Sequence, residues 1–376
     1  MNYDDIRPYN LQEVYEVFRK LSKLQTIRRM YEIFMPGVSM STLEAQASML
    51  TSIDEFQRLF ILPGVNKIID DTTSGITFSG FEKLKQTQSY LFISNHRDIV
   101  LDSTFFETIL HNLGFNTTET AIGDNLLKSK VIKEVAKINK TITVMRDGSV
   151  KDLYKSALKL SAYIRETIST NRSSIWIAQR NGRTKDGNDL TQPGLLKMLF
   201  INCDSVIDFA NLNIVPLSIN YEFEPCDHLK VLETFKSIKG NYIKQPGEDL
   251  NSIITGVKQF KGRIHLAVGN LMNTKLKKIK KSLSVNDKLK ELARLIDFEI
   301  YRNYRLFPNN YIAYDLLYED NTFNSYYTES DKDSFIQYFH KKIALTGEKN
   351  PLIKQFFLQL YANPVINQLA ILKSEL

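Results

Sequence analysis

The sequence holds two cysteines in 376 residues, Cys203 and Cys226, with no Cys-x-x-Cys pair and no histidine-rich neighbourhood. That excludes a disulfide framework and a structural zinc site, and the expected compartment is a reducing one, the cytoplasm. No run approaches the ~20 consecutive apolar residues of a spanning helix, so any membrane contact is expected to be peripheral. The N-terminus, MNYDDIRPYNLQEVYEVFRK, carries acidic and polar side chains where an export signal needs a basic start and an apolar stretch. Also missing are an internal repeat, a low-complexity segment, a P-loop, an RNP-like or helix-turn-helix signature, and the Gly-x-Ser-x-Gly elbow of a serine hydrolase.

What is present is an ordinary globular composition, 43% hydrophobic and 24% charged, in a chain long enough for two or three structural units. A net charge of +7 and an isoelectric point near 9.0 favour an anionic partner: nucleic acid, an anionic bilayer surface or a phosphorylated substrate. The aromatic residues sit mostly in apolar runs and read as core, so nucleic acid is not the expected partner, although a nucleic-acid-binding protein stands as the rival from another class.

Residues 1–75 read as a helical N-terminal region. LQEVYEVFRKLSKL and MSTLEAQASMLTSIDEFQRLFIL repeat apolar residues at three- and four-residue steps, with Pro36-Gly37 between them. From residue 76 short β-type runs (GITFSG, SYLFIS, TAIG, TITVM, SIWIA, IVPLSINY) alternate with helical patterns at 97–112, 125–138, 150–170 and 192–210. That alternation predicts an α/β fold, a mostly parallel sheet flanked by helices, over residues 76–275. Ser149 and Asp152 fit a capping box at the start of the 150–170 helix. Residues 276–376 read as a helical C-terminal extension. It opens with a strongly basic helical stretch, KLKKIKKSLSVNDKLKELARLIDFEIYRNY, whose basic run is Lys275 to Lys281, and continues as an aromatic-rich region.

Four blocks carry chemistry. In SNHRDIVLD, His96 follows a buried strand at the sheet edge where α/β proteins place ligands. A histidine there can take a proton from a hydroxyl, and an aspartate beside it would hold the ring's tautomer. Taken alone, it reads first as a histidine that caps the next helix or bonds a backbone carbonyl. TITVMRDGS delivers Arg146 to a turn. SIWIAQRNGRTKDGNDLTQPGLLKM runs from a strand into a loop with Arg180, Arg183 and Lys185 around Gly182 and Gly187. NIVPLSINYEFEPCD is a strand opening with a Val-Pro step and ending at Tyr221-Glu222. Guanidinium groups bind phosphate oxygens in pairs and glycine admits backbone N–H groups, so the second and third blocks together suit a phosphate.

In this order the blocks resemble those of the glycerolipid acyltransferase superfamily, the glycerol-3-phosphate and 1-acylglycerol-3-phosphate O-acyltransferases. NHRDIVLD resembles the first block, His-x4-Asp; TITVMRD the second; IAQRNGRTKDG the third, Glu-Gly-x-Arg followed by Ser or Thr; and IVPLSINYE the fourth. The family's aspartate falls five positions after the histidine, whereas here Asp98 stands at two and Asp102 at six. Asp102 keeps the rest of the block aligned, with Asp98 starting the helix. The family's third-block glutamate is missing, its place taken by Arg180 or Asn181, while Arg183 and Thr184 match the arginine and the small hydroxyl.

The resemblance implies acyl transfer from a thioester of coenzyme A or acyl carrier protein to an acceptor hydroxyl, glycerol 3-phosphate or a lysophospholipid, in phospholipid biosynthesis. His96 would be the base, with Asp102 or else Asp98 orienting it. Arg146, Arg183, Arg180 and Lys185, with Gly182 and Thr184, would hold the acceptor's phosphate. No cofactor or metal is implied beyond the thioester co-substrate. The missing glutamate leaves open an inactive lipid- or membrane-binding scaffold on the same fold. KLKKIKK and an amphipathic helix within 1–75 are the expected contacts with an anionic membrane.

Overall fold

The computed structural model describes residues 1–35, 37–203, 205–240 and 242–375, with the backbone alone at residues 30, 33, 34, 374 and 375. Pro36, half of the break read from the sequence, lies outside them.

Seven strands form one sheet: β1 Ile76–Ser79, β2 Leu91–Ser94, β3 Glu119–Gly123, β4 Thr141–Val144, β5 Ile175–Ala178, β6 Ile214–Tyr221 and β7 Ile264–Val268. Their order is β1-β7-β6-β2-β5-β3-β4. Neighbours pair parallel except β6 and β7, which pair antiparallel with Ile219 opposite Leu266. The C-terminal ends of β2 to β6 therefore share one edge of the sheet. The six strands read from the sequence are all present.

Side chains alternate across the sheet with the period of two that a pleated strand imposes. Leu91, Ile93, Ile175 and Ile177 enter one core, with side chains of the helices Val150–Ser169, Pro193–Phe200 and Val285–Arg302. Phe92, Trp176, Val215 and Leu217 enter the other, with the helices Leu62–Thr72 and Leu101–Asn112. Both faces are covered, which is why these strands are continuous apolar runs. A third cluster around Phe18, Phe56 and Phe60 joins the N-terminal helices to Ile138, and a fourth, around Phe335, Phe357 and Tyr361, joins the C-terminal helices to Val231 and Phe235.

Several readings need correction. The 125–138 helix starts at Lys130, after a 3-10 turn at Asp124–Leu126. β7 was not anticipated: IHLAV is short and interrupted by His265, whose ring exchanges hydrogen bonds with Thr77 and Ser79 and whose pKa burial pushes down to about 4. The 97–112 helix starts at Leu101, because Asp102 and Asp98 draw the preceding backbone into a turn. The 192–210 helix stops at Phe200, and a 3-10 segment, Val206–Leu212, follows it. KLKKIKK is not one helix: a short turn of helix ends at Leu276, and the next begins at Val285. Ser149 does cap its helix, accepting the Asp152 N–H, but Asp152 returns its carboxylate to the Ser149 hydroxyl instead of the backbone.

The division at residue 275 does not separate cores. Leu292, Ile296 and Ile300 pack in the same cluster as Leu91 and Ile93 of β2. No helix among the described residues is long and apolar enough to cross a membrane.

Candidate active site

His96 sits two residues past the end of β2, ahead of the helix Leu101–Asn112. Its Nδ1 lies 3.0 Å from Asp102 Oδ2. A carboxylate only accepts hydrogen bonds, so Nδ1 carries the proton and Nε2 is left with a free lone pair. Asp102 stands in the first turn of the helix, where the orphan N–H groups favour negative charge. The same Oδ2 accepts the backbone N–H groups of Arg97 and Asp98, at 2.6 and 2.9 Å. This wrap lets a histidine and an aspartate six residues apart meet, which an unbroken helix would forbid at 100° per residue.

The other oxygen, Asp102 Oδ1, accepts the Tyr221 hydroxyl at 2.8 Å. Burial first, and then the Asp102 charge, raise the Tyr221 phenol well above its ordinary pKa, so it remains a donor. Sequence reading quoted Tyr221 without giving it a role, although a polar aromatic at the C-terminal end of a central strand was the available signal. The Tyr221→Phe variant is expected to lose about tenfold in kcat, because a carboxylate deprived of one donor holds the ring less firmly. Thiol release at saturating substrate checks it, and parental kcat would show that the tyrosine only packs.

Asp98 plays the other part considered for it. Its Oδ1 accepts the Val100 and Leu101 N–H groups, each at 2.9 Å, and so starts the helix. Its Oδ2 is buried without a hydrogen-bond partner, facing Gly256, where a Cβ would stand 2.3 Å away.

The loop is locked from behind by a buried ion network that the sequence did not reveal. Arg97 donates to Asp189 and Glu224, Lys230 Nζ donates to Glu224 and to the Arg97 carbonyl, and the Tyr304 hydroxyl donates to Asp189. Asn95 donates to Asp189 and Ile219 and accepts the Ile219 N–H, which pins β2 to β6 beside the loop. Burial lowers the Arg97 pKa, but Asp189 and Glu224 outweigh it and hold the guanidinium well above its ordinary value. These partners come from residues 95 to 304, so no local spacing signals them.

An open pocket lies before His96, over the C-terminal ends of β3 and β5. Ile99, Ile122 and Trp176 supply apolar wall, and Arg146, Arg180, Arg183, Lys185 and Lys244 supply charge, with Asp249 the one carboxylate among the described lining residues. The structure thus brings His96, Arg146, Arg180, Gly182, Arg183 and Lys185 to one cavity.

The cations differ in availability. Lys185 is paired with Glu233, and burial lowers its pKa despite that partner; Lys244 is paired with Asp249. Among the described residues the three arginines have no carboxylate partner. Arg183 is 6% exposed with Nη1 buried and unbonded, and Arg180 donates to the Thr184 hydroxyl while its Nε is buried and unbonded. Burial pushes the Arg146 pKa down, with Asp124 opposing.

Two members of the third block serve otherwise than read from the sequence. Thr184 is fully buried and does not line the pocket: its hydroxyl donates to the Asn188 carbonyl and its N–H to the His96 carbonyl at 2.8 Å, which ties this loop to the first. Gly187, at φ 77°, lies against the C-terminal helix, where a Cβ would meet the Leu360 carbonyl oxygen at 2.2 Å. Where the missing glutamate would stand, Asn181 uses its backbone N–H on Gln192 and its side chain is exposed. Among the described residues no group of three or more His, Cys, Asp or Glu side chains is arranged to hold a metal ion.

Residues 75–220, which hold the first three blocks and all of IVPLSINYE but Tyr221 and Glu222, match the family model described as Acyltransferase. The match supports an acyltransferase domain in this segment and acyltransferase activity for the protein, in keeping with the family that its four blocks resemble. No curated protein matches the chain. Among solved structures, that of the 1-acyl-sn-glycerophosphate (LPA) acyltransferase PlsC from Thermotoga maritima is similar at 12% identity, over 76% of this chain and 93% of that one, with a TM-score of 0.37. The matched segment ends at residue 220, before Glu224, Lys230 and Tyr304, which brace the His96 loop.

Proposed function

We propose that the enzyme moves a fatty acyl group from a coenzyme A or acyl carrier protein thioester to the hydroxyl of glycerol 3-phosphate or a lysophospholipid, as a step of phospholipid biosynthesis. His96 Nε2 removes the hydroxyl proton while Asp102 steadies the imidazolium. The acceptor oxygen bonds to the thioester carbonyl carbon and the carbonyl π pair moves onto its oxygen. When that pair returns, the C–S bond breaks and the thiolate leaves with its pair, taking the proton held by His96. No acyl-enzyme is needed.

The observation that carries this reading is the His96–Asp102 pair facing a pocket whose wall holds buried, unpaired guanidinium N–H groups on Arg180 and Arg183. Such donors suit a phosphate, which accepts several charge-assisted bonds at once. Thiol release from acyl-coenzyme A and acyl carrier protein, with a panel of acceptors bearing and lacking phosphate, tests it. Acceptor-dependent release confined to phosphorylated alcohols is expected; binding without release on every acceptor would favour the inactive scaffold. In the Arg183→Met variant KM for the phosphorylated acceptor should rise about tenfold to a hundredfold, with little change for a neutral alcohol. Equal losses on both would remove Arg183 from phosphate recognition.

The reading extends to an anionic membrane, with the pocket mouth as the contact in place of KLKKIKK. In that run Leu276 and Ile279 are buried in the core and Lys275 is paired with Glu299, leaving lysines with nothing to insert. Next in sequence to the lining residue Arg146 comes exposed Met145, and a few residues on Val150 (86% exposed) and Tyr154 are interleaved with exposed Lys151 and Lys155. Next in sequence to the lining residues Lys244 and Asp249 come Ile243 (73% exposed) and Leu250. Apolar tips set among cations suit a negatively charged bilayer surface. The double variant Val150→Asp, Tyr154→Asp should bind vesicles of phosphatidylcholine and phosphatidylglycerol about tenfold more weakly in a flotation assay. Unchanged binding would place the contact elsewhere.

A further inference from the structure

Trp176 is the one tryptophan in the sequence. It lies on β5 at 4% exposure, lines the pocket, and meets the His96 ring edge-on with centroids 6.0 Å apart. Its indole Nε1 is buried and has no hydrogen-bond partner among the described residues. Trp176 packs in a cluster with rings such as Phe92 and Phe106, and its place in the pocket wall is where a bound ligand can supply an acceptor. A buried donor left unpaired is costly enough that folded proteins rarely keep one without a use. A phenylalanine would fill a wall without that cost.

Resting on the acyl-transfer reading, we propose that the Trp176 indole N–H donates to the carbonyl oxygen of the acyl thioester, the atom that becomes negative during transfer. The acceptor hydroxyl must come within about 2.6–3.2 Å of His96 Nε2. The carbonyl carbon it attacks lies about 3–3.5 Å beyond that oxygen. The carbonyl oxygen therefore falls within about 8 Å of His96 Nε2, a radius that includes Trp176, whose ring centroid stands 6.0 Å from that of His96. As the acceptor oxygen bonds to carbon, the π pair moves onto the carbonyl oxygen and the N–H bond strengthens; it weakens again when the pair returns and the thiolate departs. Such a donor acts mainly on turnover, because it binds the charged oxygen more tightly than the neutral one.

With a single tryptophan, indole ¹⁵N labelling of the full chain yields one Nε1–H resonance. In the His96→Ala protein, which holds thioester without turning it over, palmitoyl-coenzyme A and palmitoyl-acyl carrier protein are each compared with the hexadecyl thioether on the same carrier, which lacks the carbonyl. The resonance should move with the thioester of at least one carrier and stay with its thioether. An equal response to both, or none to any probe, overturns the proposal. In otherwise unaltered enzyme, replacing Trp176 by benzothienylalanine, which puts sulfur in place of N–H, should lower kcat about a hundredfold with KM for thioester nearly unchanged. Full turnover by this analogue, in an enzyme that His96→Ala silences, would sink the donor assignment alone. Turnover that survives His96→Ala would sink the acyl-transfer reading instead.

Discussion

Turnover in the His96→Ala variant is expected to fall by about 10²–10⁴-fold, the range a positioned general base contributes, with melting close to that of the parent. The ring makes one side-chain hydrogen bond, to Asp102, and its carbonyl bond to Thr184 belongs to the backbone, so the fold loses little when the imidazole goes. Asp102→Asn should approach the same loss for a different reason. An amide can still accept backbone N–H groups, but it can present N–H to the ring, which favours the wrong tautomer. Thiol release at saturating acceptor measures both. Retention of more than about a tenth of parental turnover by His96→Ala would rule out the imidazole as the base, because it falls outside the general-base range.

Arg97→Met should be the most damaging single change to stability. Arg97 is 3% exposed between Asp189, which is fully buried, and Glu224, and methionine of similar length would leave two carboxylates facing each other without it. Breaking a buried pair from one side costs about 3–5 kcal/mol, far more than the pair itself contributes over an apolar substitute. Lys230 remains beside Glu224 and relieves one of the two acids, so Asp189 carries most of the loss. Denaturant unfolding of the purified variant checks the figure. A change below about 1 kcal/mol would mean that water reaches the cluster, as it does in an exposed ion pair.

The sheet was largely legible in the chain, for a physical reason. Strands buried on both faces need uninterrupted apolar residues, and SYLFIS, SIWIA and IVPLSINY supply them; β7 escaped because His265 breaks the run and satisfies its ring through neighbours on β1. Helix starts were legible only where one local residue decides them, as at Ser149. At Leu101 the start depends on Asp98 and Asp102 together, and the helical pattern alone ran four residues too early. Within the pocket, spacing pointed to His96 and to the arginines because each follows the end of a strand. Spacing could not reveal that Lys185 is paired with Glu233, that Thr184 is buried, or that Tyr221 reaches Asp102, because these depend on residues brought together from distant parts of the chain.

Gly187 sits where the third-block loop touches the C-terminal helix, with its Cα pressed close to the Leu360 carbonyl. Leu360 stands in the third turn of that helix, Pro351–Glu375, whose first half thus acts as a keystone, closing an arch whose other stones were laid much earlier in the chain. A chain halted by a premature stop before this helix would carry every residue of the proposed chemistry and still lack the piece that squares them to one another. Genetic lesions far from His96, in a stretch with no recognisable motif, would then be expected to look like active-site lesions.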